Sequence, residues 1–306
     1  MLIDPCGRLT YNLRVSVTSK CNLHCIFCHK EGNDVISDRL TPKAIEEIVK
    51  ITASYGVRKV KITGGEPLLR KDIVEIVNRI ASIQGIQDIS MVTNASLLET
   101  FAEPLKRAGL RRININLPSL DPEKYHELTK GKLEPVLRGV RSAVRHGLIP
   151  AKINMVLLKD VNDDELDDYI NFAREVSAQV QVIELEPIKI RSNLYDKMHI
   201  EPDSIERVLE NKALRSWVRE SMQNRRVYDL NGTIVEVVHP VDNTEFCAFC
   251  NRIRLTNDGA FKPCLMRDDN NVYIDNVMDE YNGSKILKAY LKSVMSREPY
   301  FKPYKQ

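Results

Sequence analysis

The stretch NLRVSVTSKCNLHCIFCHKEG, residues 12–32, decides how the rest of the chain is read. It opens on LRVSVT (13–18), where β-branched and polar residues alternate as in a strand with one buried face. Cys21, Cys25 and Cys28 follow at once, spaced C-x3-C-x2-C. Thiols at that spacing serve one metal centre only if the loop wraps around it. A structural zinc site takes four protein ligands, and iron–sulfur clusters are ordinarily held by four cysteines. The triplet is one thiol short of either. The residues alone leave three readings: a cubane with one iron free for a substrate or cofactor, a zinc ion completed by His24 or His29, or a disulfide with a spare thiol.

Working outward, LRVSVT is the first of six strand-like runs; the others are 57–63, 88–93, 112–117, 151–158 and 181–188. Amphipathic stretches lie between them. TPKAIEEIVKITASYG (41–56) has Pro at the first helical turn and Gly at its end. Strand–helix repetition of this kind predicts parallel strands joined by crossover helices. Eight units would close a full barrel; six predict an α/β fold of the partial (β/α)6 TIM type. No G-x-G-x-x-G supports a dinucleotide-binding layering instead.

The pattern changes near residue 190. EPDSIERVLENKALRSWVRE reads as helix, Asn231-Gly232 and Asp258-Gly259 read as hairpin turns, and SKILKAYLKSVMS reads as a closing helix. The expected organisation is a barrel over 1–190 and an α+β extension over 191–306 packed against it.

Composition narrows the function classes. Of 306 residues, 43% are hydrophobic and 28% charged, with a net charge of +3. That balance is globular and too weakly basic to argue for a nucleic-acid or membrane partner. The N-terminus lacks a signal-peptide pattern, and no run of about 18 apolar residues predicts a membrane span; the expected compartment is cytoplasmic. Seven cysteines (6, 21, 25, 28, 247, 250, 264), six of them in two triplets, do not form a secreted disulfide framework. In a reducing compartment such clusters are metal ligands or catalytic thiols. Cys6 is left over.

The second triplet, Cys247, Cys250 and Cys264, is again three ligands, spaced C-x2-C-x13-C. It reads as a second open cluster whose free iron would bind substrate, or as zinc completed by His239 or Cys6. Arg252 and Arg254 alternate in a strand-like run just after Cys250, so both point to one face. Two guanidiniums there suit phosphates or a purine edge.

A C-x3-C-x2-C loop after the first strand, with TGGEP (63–67) ending the second, resembles the radical S-adenosylmethionine (SAM) superfamily. CGRLTYNLRVSVTSKCN, KITGGEPLLR, INMVLLKDVND and CAFCNRIRLT narrow the resemblance to its GTP 3′,8-cyclase family, and CHKEG to an archaeal-like branch. The resemblance implies the first step of molybdenum cofactor biosynthesis. Two [4Fe–4S] clusters would be held by three cysteines each, Cys21, Cys25 and Cys28, then Cys247, Cys250 and Cys264, with SAM as the fourth ligand of the first. A 5′-deoxyadenosyl radical would take hydrogen from C3′ of GTP, and C3′ would then bond to C8 of the guanine.

The resemblance also assigns residues. SAM contacts fall on Phe27, Gly64, Gly65, Glu66 (accepting from the methionyl ammonium) and Asn116. GTP contacts fall on Arg14, Lys61, Lys152, Arg252 and Arg254. No catalytic residue is expected beyond the cluster ligands. The implied partners are a reductant such as ferredoxin or flavodoxin and a downstream pyranopterin monophosphate synthase, with the chain a monomer or homodimer.

The sequence departs from the family's usual pattern in places. Lys61 stands where arginine is frequent, Val92 for a threonine, Asn116 for a serine, and Glu186 where a methionine often contacts SAM. The tail PYFKPYKQ stands where many family members have a Gly-Gly ending, which leaves two readings: Arg191 and its neighbours substitute for it, or the archaeal-like branch works without it. Two other classes remain to be discriminated: a radical enzyme acting on peptides, and a zinc-stapled barrel binding RNA or protein.

Overall fold

The computed structural model describes residues 1–33, 35–275 and 282–298; the tail PYFKPYKQ lies outside them. A short hairpin of β1 (Leu2–Ile3) and β2 (Leu9–Thr10) precedes β3 (Asn12–Ser16). Strands and helices then alternate: α1 (Pro42–Ser54), β4 (Lys59–Thr63), α2 (Ile73–Ala81), β5 (Asp88–Thr93), α3 (Leu98–Arg107) and β6 (Arg112–Asn116). After α4 (Pro122–Thr129) and α5 (Leu133–Arg145) come β7 (Ala151–Leu157), α6 (Leu166–Glu175) and β8 (Gln179–Glu184). The extension contains α7 (Ser192–Met198), α8 (Asp203–Lys212), β9 (Arg215–Arg219), β10 (Arg225–Leu230), β11 (Thr233–Val238) and α9 (Thr244–Ala248). It closes with β12 (Arg252–Leu255), β13 (Ala260–Lys262), β14 (Val272–Tyr273) and α10 (Gly283–Met295).

Local chemistry explains the helix starts. Thr41 accepts a hydrogen bond from the Ala44 amide, with Pro42 in the first turn of α1. Asp121 caps α4 by accepting from Glu123 and Lys124. Alternation in the strands sends Leu13, Val15, Ile62, Ile113, Ile153 and Val182 into a fully buried layer against Ile45, Ile48, Ile76 and Val140 of the helices. Each such side chain contributes about 1.5–3 kcal/mol relative to exposure. Among the described residues no helix is long and apolar enough to cross a membrane.

The six expected strands are β3 to β8, parallel and in chain order in a 12-stranded sheet that forms the expected partial barrel. The extension is not a separate layer. Its β11 pairs parallel with β8 at one edge, and β12 pairs parallel with β3 at the other. Both edges of the six-strand run would otherwise present unpaired amides and carbonyls.

One element differs from expectation. The helix predicted across residues 201–220 ends at Lys212, and RSWVR forms the edge strand β9. It pairs antiparallel with β10, Trp217 opposite Val227. This partner, distant from the run by more than one turn, overrides the helical reading.

Candidate active site

The period-2 alternation that buries Leu13 and Val15 turns Arg14 to the opposite face, and it does the same for Lys61 and Arg254. Register brings the three together: Arg254 of β12 pairs with Arg14 of β3, which pairs with Lys61 of β4. Adjacent strands lie about 4.8 Å apart, so three cations stand side by side. Further along the same interior, Asn114 of β6 pairs with Lys152 of β7.

This array is partly to fully buried and under-compensated. Lys61 Nζ donates to Asn114 Oδ1 at 3.1 Å. Burial, and then Arg14, Arg252, Arg112 and Arg225, hold its pKa well below the usual lysine value. Arg252 is pushed down to about 9, by burial and then by Arg225. The Nε atoms of Arg14, Arg225 and Arg254 are buried with no hydrogen-bond partner. Orphaned buried donors are costly unless a ligand satisfies them, and like charges at close range call for a polyanion.

Two carboxylates offset part of the charge. Glu31 accepts from Arg14 Nη2 at 2.6 Å and from Thr63 Oγ1 at 2.7 Å. Burial opposes its ionisation, but Arg14, His29 and Arg254 outweigh it and its pKa falls to about 2. Glu236 is ion-paired with Lys152 and accepts from Arg219 at 3.1 Å. Burial opposes it too, yet Arg225, Lys152 and Arg219 lower it to about 2. Burial outweighs this pairing at Lys152, whose pKa drops to about 8.

The first cysteine triad sits in the loop after β3. Amides of His24 and Ile26 donate to the Thr129 and Leu128 carbonyls at 2.9 and 3.0 Å, pinning the loop to the end of α4. The GGEP turn braces its other side: Gly65 N donates to Thr18 O and Glu66 N to Lys20 O, both at 2.7 Å. A Cβ on Gly65 would lie 2.2 Å from the Lys20 carbonyl oxygen, and one on Gly64 (φ +151) 2.5 Å from that of Thr18. Only glycine admits this approach. Phe27 packs with Leu128, Leu158 and Leu185 and borders the cavity. Asn116 also borders it, its Oδ1 accepting from Asn154 Nδ2 at 2.9 Å.

Glu66 lies behind the cavity wall. Its side chain is fully buried, does not border the cavity, and accepts from Leu68 N (3.0 Å), Thr93 Oγ1 (2.7 Å) and Asn94 N (2.7 Å). The carboxylate braces the GGEP turn and the end of β5.

The two thiol triads differ in their electrostatics. Burial, and then Cys28 and Cys21, raise the Cys25 thiol to about 12, so three mutually close thiols need a cationic centre to ionise together. No three His, Cys, Asp or Glu side chains among the described residues are grouped to hold a single metal ion. At the second triad, burial disfavours the Cys250 thiolate, but Arg297, Arg252, the Arg252 amide and Arg254 together hold its pKa below the usual thiol value. Cys21, Cys25 and Cys28, like Cys247, Cys250 and Cys264, border one cavity, along with Phe27, Gly64, Gly65, Asn116 and all five predicted GTP cations. Val92 and Glu186 border it as well.

The sequence missed several members. Arg225, from the antiparallel β10, enters the cavity with Nη1 3.1 Å from Gln181 Oε1 and Nη2 3.0 Å from Gln223 Oε1. Glu31 lay within the quoted CHKEG and went unassigned. Nothing in the alternation of RRVYDL marks Arg225, because its importance comes from strand pairing.

A partial barrel with an open thiol triad at the C-terminal ends of its strands, braced by a glycine cradle, defines the radical SAM class. Residues 15–173 match the radical SAM superfamily, and residues 178–303 match Molybdenum Cofactor Synthesis C. The fold is similar to Streptococcus suis SuiB bound to precursor peptide SuiA (TM-score 0.65, 18% identity, 93% of this chain and 67% of that one). It is also similar to anSMEcpe with bound AdoMet (TM-score 0.63, 16% identity, 92% and 81%). Probable GTP 3′,8-cyclases of Methanococcus aeolicus and Methanocaldococcus jannaschii are each 44% identical over 98% of this chain and 99% of theirs. The chain therefore belongs to the GTP 3′,8-cyclase family of the radical SAM superfamily.

Proposed function

We propose that this chain cyclises GTP at C3′ and C8 in the first step of molybdenum cofactor biosynthesis, with SAM as the radical source and a [4Fe–4S] cluster on each triad. One observation carries the reading: both triads and the cation array border a single cavity. When bound, the first cluster and SAM supply a one-electron cleavage that yields a carbon radical. The protein's residues position and shield. Arg14, Lys61, Lys152 and Arg225 hold the triphosphate, whose charge relieves their mutual repulsion. Arg252 and Arg254 orient the guanine beside the second triad. Gly64 and Gly65 border the methionyl side, while Phe27 and Asn116 border the adenosyl side. Positioning and water exclusion lower the barrier. A reductant such as ferredoxin or flavodoxin and a downstream pyranopterin monophosphate synthase complete the reading, in the cytoplasm.

The test is anaerobic reconstitution with iron and sulfide, then SAM, dithionite and GTP. About eight irons per chain, GTP-dependent 5′-deoxyadenosine and a 3′,8-cyclo product support the reading. Zinc in place of iron, or deoxyadenosine without GTP consumption, overturns it.

Two predictions follow from the charges. Arg225→Gln should raise KM for GTP about 10–100-fold, the range for a lost charged hydrogen bond; steady-state kinetics with an unchanged KM would remove Arg225 from the site. The second concerns pH. The free site holds the Lys61 and Lys152 pKa values down, and a polyanion raises them. GTP binding should thus take up protons at neutral pH, and should weaken as pH rises through about 8, where Lys152 discharges. Calorimetry in buffers of different ionisation enthalpy reads the uptake, which Lys61→Met should diminish.

A further inference from the structure

The carbonyls of both cysteines in the second C-x2-C segment accept from arginines outside it. Arg8 Nη1 donates to Cys247 O at 2.9 Å, and Arg297 Nη2 donates to Cys250 O at 2.5 Å. Arg8 belongs to the β1–β2 hairpin; Arg297 lies just past α10 and is 3% exposed. One carboxylate joins them. Asp4, 4% exposed, accepts from Arg8 Nε at 2.7 Å through Oδ2, and the same oxygen pairs with Arg297 Nη1 at 3.1 Å. Its Oδ1 accepts from the Cys6 and Arg8 amides at 3.0 and 2.9 Å. Arg297 Nη1 also donates to Thr10 Oγ1 at 3.1 Å.

A neighbouring tie points the same way. Asn251, next after Cys250, accepts from the Tyr11 and Asn12 amides through its carbonyl, both at 3.3 Å. Both ends of the described chain are thereby committed to one short loop. Both guanidiniums border the cavity beside the three thiols, and Arg8 also donates through Nη2 to Glu298 O at 2.6 Å.

We infer that Asp4, Arg8 and Arg297 form a clamp that positions the Cys247–Cys250 loop for its iron–sulfur cluster and raises that cluster's reduction potential. The inference rests on the reading that the second triad holds a cluster. The three act as positioning residues: they fix ligand carbonyls and hence the direction of the thiols, and place positive charge next to an anionic centre. Hydrogen bonds and charge around a cluster set its potential.

The experiment isolates the second site in the full chain carrying Cys21→Ala, Cys25→Ala and Cys28→Ala. After anaerobic reconstitution, iron per chain, the rate of iron loss to a chelator, and the midpoint potential from an EPR-monitored titration are measured with and without Arg297→Met. The expected result is chelator loss about 10–100-fold faster and a more negative potential, with partial recovery in Arg297→Lys. Arg8→Met, which touches only the Cys247 end, should shift both readouts the same way and stands in if Arg297→Met does not fold, as judged by circular dichroism. A cluster in which both methionine variants match the parent in stripping rate and potential overturns the clamp. A parent triple variant that takes up no iron shows instead that the second triad holds no cluster, and the clamp falls with that reading.

Discussion

Cys264→Ala is expected to stop cyclisation of GTP while leaving reductive cleavage of SAM in place. Cys264 follows β13 on the extension's side of the cavity, whereas Cys21, Cys25 and Cys28 ride on the loop after β3. Different elements support the two triads: α4 and the GGEP turn hold the first, and the hairpin of β12 and β13 carries the last ligand of the second. Loss of a ligand should exceed the roughly 10–100-fold effect of losing an outer partner. Product analysis should show 5′-deoxyadenosine without the 3′,8-cyclo product. Cys25→Ala should lose both, since its thiol belongs to the SAM side. Cyclisation retained after Cys264→Ala would sink the substrate-binding role of the second triad.

The second large effect is expected from Gly65→Ala. The added Cβ would stand 2.2 Å from Lys20 O, 2.6 Å from Lys20 C and 2.8 Å from Ser19 O. All three are backbone atoms, so no side chain can swing away. Relief must come from moving the segment that enters Cys21, at an overpacking cost of about 1–3 kcal/mol. Iron at the first site and SAM cleavage should fall together, by about 10-fold or more for each 1.4 kcal/mol that the displaced loop loses in binding. Gly232→Ala is the control. Its Cβ meets nothing within 4 Å and its φ of +88 adds only turn strain, about 1–2 kcal/mol, so stability drops while iron content holds. Normal iron and SAM cleavage in Gly65→Ala would mean that the close approach does not set the cluster loop.

Much of this architecture was legible along the chain. LRVSVT, VRKVKIT and DISMVT announce strands through alternation, and the hairpin turns at Asn231-Gly232 and Asp258-Gly259 fall where they were expected. RSWVR was misread because a short run next to a helix carries no signal of the strand it will join. For Glu66, GGEP shows that a carboxylate is near the ligand loop but not which way it turns; the Thr93 hydroxyl and the Leu68 and Asn94 amides decide that.

The sequence by itself determined the strand–helix order through β8, the two thiol triads, the glycines of the cradle and the face each strand cation shares with its neighbours at i±2. These are local properties, set by spacing and backbone period. The tertiary structure alone decided that Arg254, Arg14 and Lys61 stand in one row, that Arg225 joins them from an antiparallel strand, and that both triads open on one cavity. It also brought Asp4, Arg8 and Arg297 onto the second cysteine loop from opposite ends of the chain. The physical reason is register: which side chains become neighbours across a sheet depends on how distant strands pair, and that pairing is chosen by burial of the whole sheet rather than by any one segment.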